Sequence, residues 1–230
     1  MRDEEPAELR PVIDGEPPPE QAADAHRAVS PARLPYGSCC SARSQETAGA
    51  LVLVEGISDK LALEALAERR GRSLDAEGIV IVPMGGATNI GSFLDRFGPR
   101  GSGVRLAGLC DAAEEGDFRR GLERAGLGSN LTRASMETLG FYVCVDDLED
   151  ELIRALGAAH VEQIVDGQGD LGSLRTLQRQ PAWQGRPPEE QLRRFMGSGG
   201  SRKIRYAPLL VDALDLSHVP RPLDGALAHV

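Results

Sequence analysis

Three short apolar runs in this sequence each stop on an acid, and that repetition constrains the fold more than any other feature. Leu51-Val52-Leu53-Val54 leads into Glu55-Gly56-Ile57-Ser58-Asp59. Leu106-Ala107-Gly108-Leu109-Cys110 leads into Asp111, and Phe141–Val145 leads into Asp146-Asp147-Leu148-Glu149. An unbroken aliphatic run of this length reads as a strand covered on both faces, the pattern of a parallel sheet. In open α/β sheets the ligand crevice lies beyond the carboxyl ends of the strands, so three acidic strand ends in one small sheet converge on one place. Crowded carboxylates repel one another, and a hard divalent cation such as Mg²⁺, which prefers oxygen ligands, relieves the repulsion. The pattern predicts a magnesium site and, with it, phosphate chemistry.

The rest of the chain fits that frame. Residues 1 to about 48 are rich in Pro, Ala, Glu and Ser, include Pro17-Pro18-Pro19, and carry no apolar period; they read as a mostly disordered, acidic segment. Strands are expected at Leu51–Val54, Ile79–Val82, Val104–Cys110 and Phe141–Val145. Helices are expected at Asp59–Arg70, Ile90–Phe97, Phe118–Ala125 and Leu148–Leu156. Strands separated by helices imply βαβ units. The predicted fold is an α/β, Rossmann-like, mostly parallel four-stranded sheet flanked by helices, over residues 49–157. Residues 158–230 read as a helical, basic C-terminal extension, with helices at Val161–Val165, Leu171–Leu177, Glu189–Phe195 and Ala207–Leu214. Gly197-Ser198-Gly199-Gly200-Ser201 reads as a flexible joint within it.

Net charge is −9 over 230 residues, which argues against nucleic acid as a partner until its distribution is considered. Between Leu171 and Tyr206, Arg175, Arg179, Arg186, Arg193, Arg194, Arg202, Lys203 and Arg205 face only Glu189 and Glu190. A basic segment beside an acidic centre suits a metal-dependent enzyme acting on a polyanion; a solvated helical face is the plain alternative. Lysine is rare: only Lys60 and Lys203 among the 26 basic residues. No apolar stretch approaches the roughly 18 to 20 residues that span a bilayer, and the acidic N-terminus lacks a signal-peptide core. Cys110 and Cys144 fall in buried strands, Cys39-Cys40 reads as surface thiols, and a cytoplasmic chain is expected. The scattered histidines, His26 among them, do not look like ligands. There is no Gly-x-x-x-x-Gly-Lys-Ser/Thr loop, hence no P-loop ATPase in this chain.

Glu55 with Asp59 is the strongest single signal, because an acid directly after a buried strand is costly unless paired or metal-bound; the plain alternative is a helix cap with a solvated loop acid. Asp111 is favoured as a ligand, whereas Glu115 and Asp117 open a helix and complement its dipole. At the fourth strand's end, Glu149 is favoured and Asp147 comes second. Gly85-Gly86 either brings backbone amides to a phosphate or makes a tight turn. Ser201-Arg202-Lys203, after the glycine-rich joint, either is an exposed loop or delivers a lysine as charge stabiliser.

An apolar strand followed by Glu-Gly-x-Ser-Asp, a strand into Gly-Gly, a strand ending in Asp and a later Asp-Leu-Glu together resemble the TOPRIM domain, in the version found in OLD-family (overcoming lysogenization defect) nucleases. The resemblance spans roughly residues 50 to 157, and the basic segment through Tyr206 is similar to that family's C-terminal extension. It implies a metal-dependent DNA endonuclease. Glu55, Asp59, Asp111 and Glu149, with Asp147, would hold two Mg²⁺ or Mn²⁺ ions, and Lys203 would be the catalytic lysine. Gly85, Gly86, Arg202 and Arg205 would contact phosphate or DNA. Fuller members of the family join the TOPRIM nuclease to an ABC-type ATPase, so a separate ATPase or helicase is an expected partner, with homo-oligomerisation a further expectation. One departure stands out: the usual Asp-x-Asp after the third strand has Ala113 at its second position, so that either Glu114 compensates or the second metal binds loosely. The alternatives are a degenerate module that binds nucleic acid or a partner ATPase without cutting, and a primase-like nucleotidyl transferase.

Overall fold

The computed structural model describes residues 42–230. Cys39-Cys40, His26 and most of the segment expected to be disordered lie outside them; the end of that segment, Ala42–Thr47, is a short helix, α1. The sheet follows directly. β1 (Ala50–Val54), β2 (Ile79–Pro83), β3 (Arg105–Cys110) and β4 (Phe141–Val143) are all parallel, in the order β2-β1-β3-β4. β1 is central, and its five residues are almost wholly shielded from solvent, which is why its sequence is aliphatic at every position rather than alternating. The chain leaves β1 towards β2 on one side and returns to β3 on the other. The topological switch point therefore lies between the carboxyl ends of β1 and β3, where Glu55 and Asp111 stand.

Each face of the sheet has its own core. Leu51 and Leu53 of β1 pack with Phe141 of β4 and with Ile90 and Leu94 of α3 (Ile90–Phe97), Phe118 and Leu122 of α4 (Glu115–Arg124), and Met136 of α5 (Arg133–Thr138). Gly108 of β3 lies under Phe141: a Cβ there would come within 2.6 Å of the ring. Val52 and Val54 face the other way, onto Leu63 and Leu66 of α2 (Ile57–Arg69).

The second core does not stop at α2. Beyond it come α6 (Leu148–Leu156), α7 (Ala158–Gly167), α8 (Leu171–Gln178), α9 (Pro188–Gly197), α10 (Gly200–Ala213) and α11 (Arg221–Ala228). Leu192, Phe195, Tyr206, Leu210, Val211 and Leu223 belong to the same apolar cluster as Val52 and Val54. α10 packs along α2, whose small residues Ala62, Ala65 and Ala67 are buried. Sandwiched between sheet and helix, α2 has no strongly polar face. Arg69 at its end donates Nη1 to the carbonyls of Val211 and Leu214, both at 2.7 Å, satisfying acceptors that the end of α10 leaves open. The expected C-terminal extension is thus packed into the sheet's own core.

Two expectations are corrected in detail. β4 ends at Val143, two residues early, although Cys144 N still donates to Cys110 O. The flexible joint shrinks to Ser198-Gly199, because α10 begins at Gly200 and runs through Pro208. Lys203 is therefore carried on a helix and not on a loop.

Candidate metal centre

Glu55 follows β1 in a turn pinned by its own backbone: the amides of Gly85 and Gly86 both donate to Glu55 O, at 3.1 and 3.2 Å. Both glycines have positive φ, 73° and 124°, a conformation that side-chain-bearing residues resist. Their amides are thus engaged in fixing the first acid's loop rather than free to meet a phosphate. One turn on, Asp59 Oδ2 accepts from Gly56 N at 2.8 Å at the start of α2. The cap and the charge are the same residue, so the helix entry fixes where the carboxylate sits.

Asp111 leaves β3 into a 3-10 turn, Ala112–Glu114, and Ala112 N donates to Asp146 O at 2.8 Å, which ties the ends of β3 and β4 together. That turn swings Glu114 back over the strand ends. One carboxylate oxygen from each of Glu55, Asp111 and Glu114 lies within 4.8 Å of the other two. Ala113, beside it, is exposed and contributes no charge. Glu114 Oε2 is shielded from solvent and has no hydrogen-bond partner among the described residues. A buried carboxylate oxygen left unpaired is costly, and a cation among these three acids would satisfy it.

The third strand end closes the cluster. Asp147 caps α6, with Oδ1 accepting from Asp150 N at 2.8 Å, and Oδ2 accepts from Arg193 Nε of α9 at 2.7 Å. Glu149, 5% exposed, receives Lys203 Nζ at 2.8 Å. Glu151, equally buried, turns away to Val145 N and Arg154, and Glu115 and Asp117 pair with arginines of their own neighbourhood.

These acids feel one another. Burial, reinforced by the charges of Asp59, Asp147, Glu149 and Glu55, pushes Asp111 up to about 8. Burial also lifts Asp59 to about 6, against the lowering effect of the Gly56 amide, with Glu149 and Glu55 adding to the rise. Glu55 is raised by burial and then by Glu114, with Lys203 opposing. Burial pulls the Lys203 ammonium down, but its hydrogen bond to Glu149 and the charges of Glu149, Asp147 and Asp111 outweigh it, so Lys203 stays cationic. Glu55, Asp59, Asp111, Asp147, Glu149 and Lys203 are thus brought into one electrostatic unit, with Glu114 added. Glu55, Asp59 and Asp111, all raised, meet at this sheet edge, and a divalent cation would reverse the shift by favouring their charged forms.

Arg202 and Arg205 are placed differently. Arg202 Nη1 donates to Phe195 O at 3.1 Å, and its guanidinium carbon lies 4.1 Å from the Phe195 ring centroid, closing the end of α9. Arg205 is ion-paired to Asp170 and lies over the Tyr206 ring. Both are held by intramolecular partners. Among the described residues, no helix is long and apolar enough to cross a membrane.

Comparison with known proteins bears on this geometry. The family model described as "Overcoming lysogenization defect protein-like, TOPRIM domain" matches residues 48–112, which include Glu55, Asp59 and Asp111. Among solved structures, the C-terminal region of the Xanthomonas campestris pv. campestris OLD protein superposes with a TM-score of 0.64 at 23% identity, covering 81% of this chain and 94% of that one. The C-terminal region of the Burkholderia pseudomallei OLD protein gives 0.61 at 20% identity, covering 79% and 96%. The resemblance to OLD-family TOPRIM domains is borne out by both, and the structural match reaches well past residue 112. No curated protein matches the chain.

Proposed function

We propose that this chain is a divalent-metal-dependent phosphodiesterase of the OLD-like TOPRIM type that cleaves DNA. The observation that carries the reading is the convergence of Glu55, Asp111 and Glu114 at the switch point of a parallel sheet, with an unpaired buried oxygen among them. Glu55, Asp111 and Glu114 are suited to hold one Mg²⁺ or Mn²⁺, and Asp59 and Glu149, with Asp147 behind its cap, a second. Two such ions supply an activated water and charge stabilisation at the leaving oxygen. Lys203, kept cationic and aimed by Glu149, neutralises charge gathering on the phosphate in the transition state. Asp147 and Arg193 steady the start of α6, and with it Glu149. Glu114 takes over the work of the acid that Ala113 lacks. A separate ATPase, as in the fuller members of the family, is the partner this module would serve.

The reading is tested by following conversion of supercoiled plasmid to nicked circles with Mg²⁺ or Mn²⁺. Lys203→Met should lower the rate by about 10²-fold or more while the rise in melting temperature on adding Mn²⁺ is kept. Metal-induced stabilisation without cleavage by the wild type would instead mark a binding module.

A further inference from the structure

Next to the acid cluster, and partly shared with it, is a cleft of ≈ 450 Å³. Glu149 and Lys203 form one wall, shared with the cluster. The opposite wall comes from the α8–α9 connection and α9: Trp183, Glu190, Arg193 and Arg194. Its ion pairing is uneven. Arg193 is bound to Asp146 and Asp147, Lys203 to Glu149, and Glu190 to Arg186. Arg194 has no carboxylate or hydrogen-bond partner among the described residues; its guanidinium carbon lies 6.0 Å from the Trp183 ring centroid. The ring itself is held in place. It packs on the main core, and its backbone carbonyl accepts from the buried Gln191 at 2.8 Å. Arg186, on the same ring, is tied to Ala182 O and Glu190.

We infer that this cleft binds an unpaired nucleotide adjoining the phosphate held at the acid cluster, with the base on Trp183 and its phosphate on Arg194. The inference rests on the proposed function and adds a requirement to it. Duplex DNA offers an outside side chain only its backbone and groove edges. A rigid aromatic platform beside a free cation is of use to a base that has left the stack. Volume agrees, since the cleft falls in the range of small-ligand sites. Arg194 can leave the ring for a phosphate because nothing else holds it.

The chain has a single tryptophan, so its intrinsic fluorescence reports this cleft alone. Wild-type protein in EDTA, where nothing is cut, is titrated with a single-stranded oligonucleotide and, separately, with the blunt duplex of the same sequence. Saturable quenching by the single strand, with weaker effect from the duplex, is expected. Trp183→Ala, read by polarisation of a labelled single strand, should weaken binding by roughly tenfold or more. Arg194→Ala, an exposed change that leaves the fold alone, should reduce the slope of log affinity against log salt by about 0.7. Unchanged fluorescence with the single strand, or equal quenching by the duplex, overturns the inference. The two readings fail separately: plasmid nicking without quenching removes the subsite and leaves the nuclease, whereas quenching without nicking leaves a single-strand-binding module.

Discussion

At the residue scale, the acids at the strand ends were legible because each follows an aliphatic run that has to be buried, so the first polar residue after it has to lie at the sheet's edge. Glu55 and Asp111 follow from that rule; Asp59 and Glu149 lie further on, at the entries of the helices that follow β1 and β4. Glu114 was less visible. It sits four residues past the end of β3, and only the 3-10 turn at Ala112–Glu114 brings it back to Glu55; the signal was its place one residue after Ala113. Gly85-Gly86 remained ambiguous in sequence because a positive-φ pair serves a phosphate loop and a tight turn equally well. The amides' bonds to Glu55 O decide for the turn. The titration of the cluster gives a prediction at this scale. Asp111 is raised from an ordinary 3.8 to about 8, and Asp59 to about 6. A folded-state pKa above the unfolded one means that the folded protein holds the proton more tightly. The associated stability is full below about pH 4 and is lost as pH rises towards about 8. Without metal, the melting temperature of the wild type should therefore fall across that window, and Asp111→Asn should flatten the fall. Because a cation competes with these protons, Mn²⁺ should raise the wild-type melting temperature more at about pH 8 than at about pH 6. Thermal scans with and without EDTA check both; parallel curves for wild type and variant would contradict the assignment.

At the scale of elements, the four strands and helices α2, α3 and α4 follow from apolar period and glycine stops. What sequence reading missed has specific causes. α5 and α11 are six and eight residues long, too short for the period to stand out. The sequence reading starts α10 at Ala207, and a proline is ordinarily confined to a helix's first turn. In the structure Pro208 sits well inside α10 and is buried against its neighbours. Tertiary packing on α2 outweighs the one backbone bond that proline forfeits. This changes how Lys203 is delivered: a helix docked on α2 fixes the ammonium against Glu149 more firmly than a glycine-rich loop would. The dock has a checkable support. Arg69→Ala leaves the carbonyls of Val211 and Leu214 without their donor and should cost roughly 1–3 kcal/mol in denaturant unfolding, with a lower cleavage rate if α10 shifts. Full stability in the variant would show that water replaces the guanidinium at no cost.

At the scale of the whole molecule, sequence suggested a sheet domain with an appendage, and the structure joins them. The reason lies in α2: buried against the sheet on one side, its other side needs the helices after Gly157 as cover, and nothing local in residues 49–157 announces that need. A chain ending at Gly157 would expose Leu63, Leu66 and their neighbours, and should lose cooperative unfolding by circular dichroism; a cooperative transition in that fragment would show that the sheet stands alone. The same joining is what sets a basic helical wall, with Lys203, beside an acidic sheet edge, and so makes one centre from Glu55, just after β1, and Lys203, well past Gly157. The central claim is that this centre hydrolyses DNA with bound divalent metal. The measurement that tests it most directly is plasmid nicking by wild type and Glu55→Gln side by side, in Mg²⁺ and in Mn²⁺, with both proteins checked as folded. The account predicts metal-dependent nicking by the wild type that is abolished by Glu55→Gln. Nicking that persists undiminished in the variant, or a wild type inert with both metals, would contradict it.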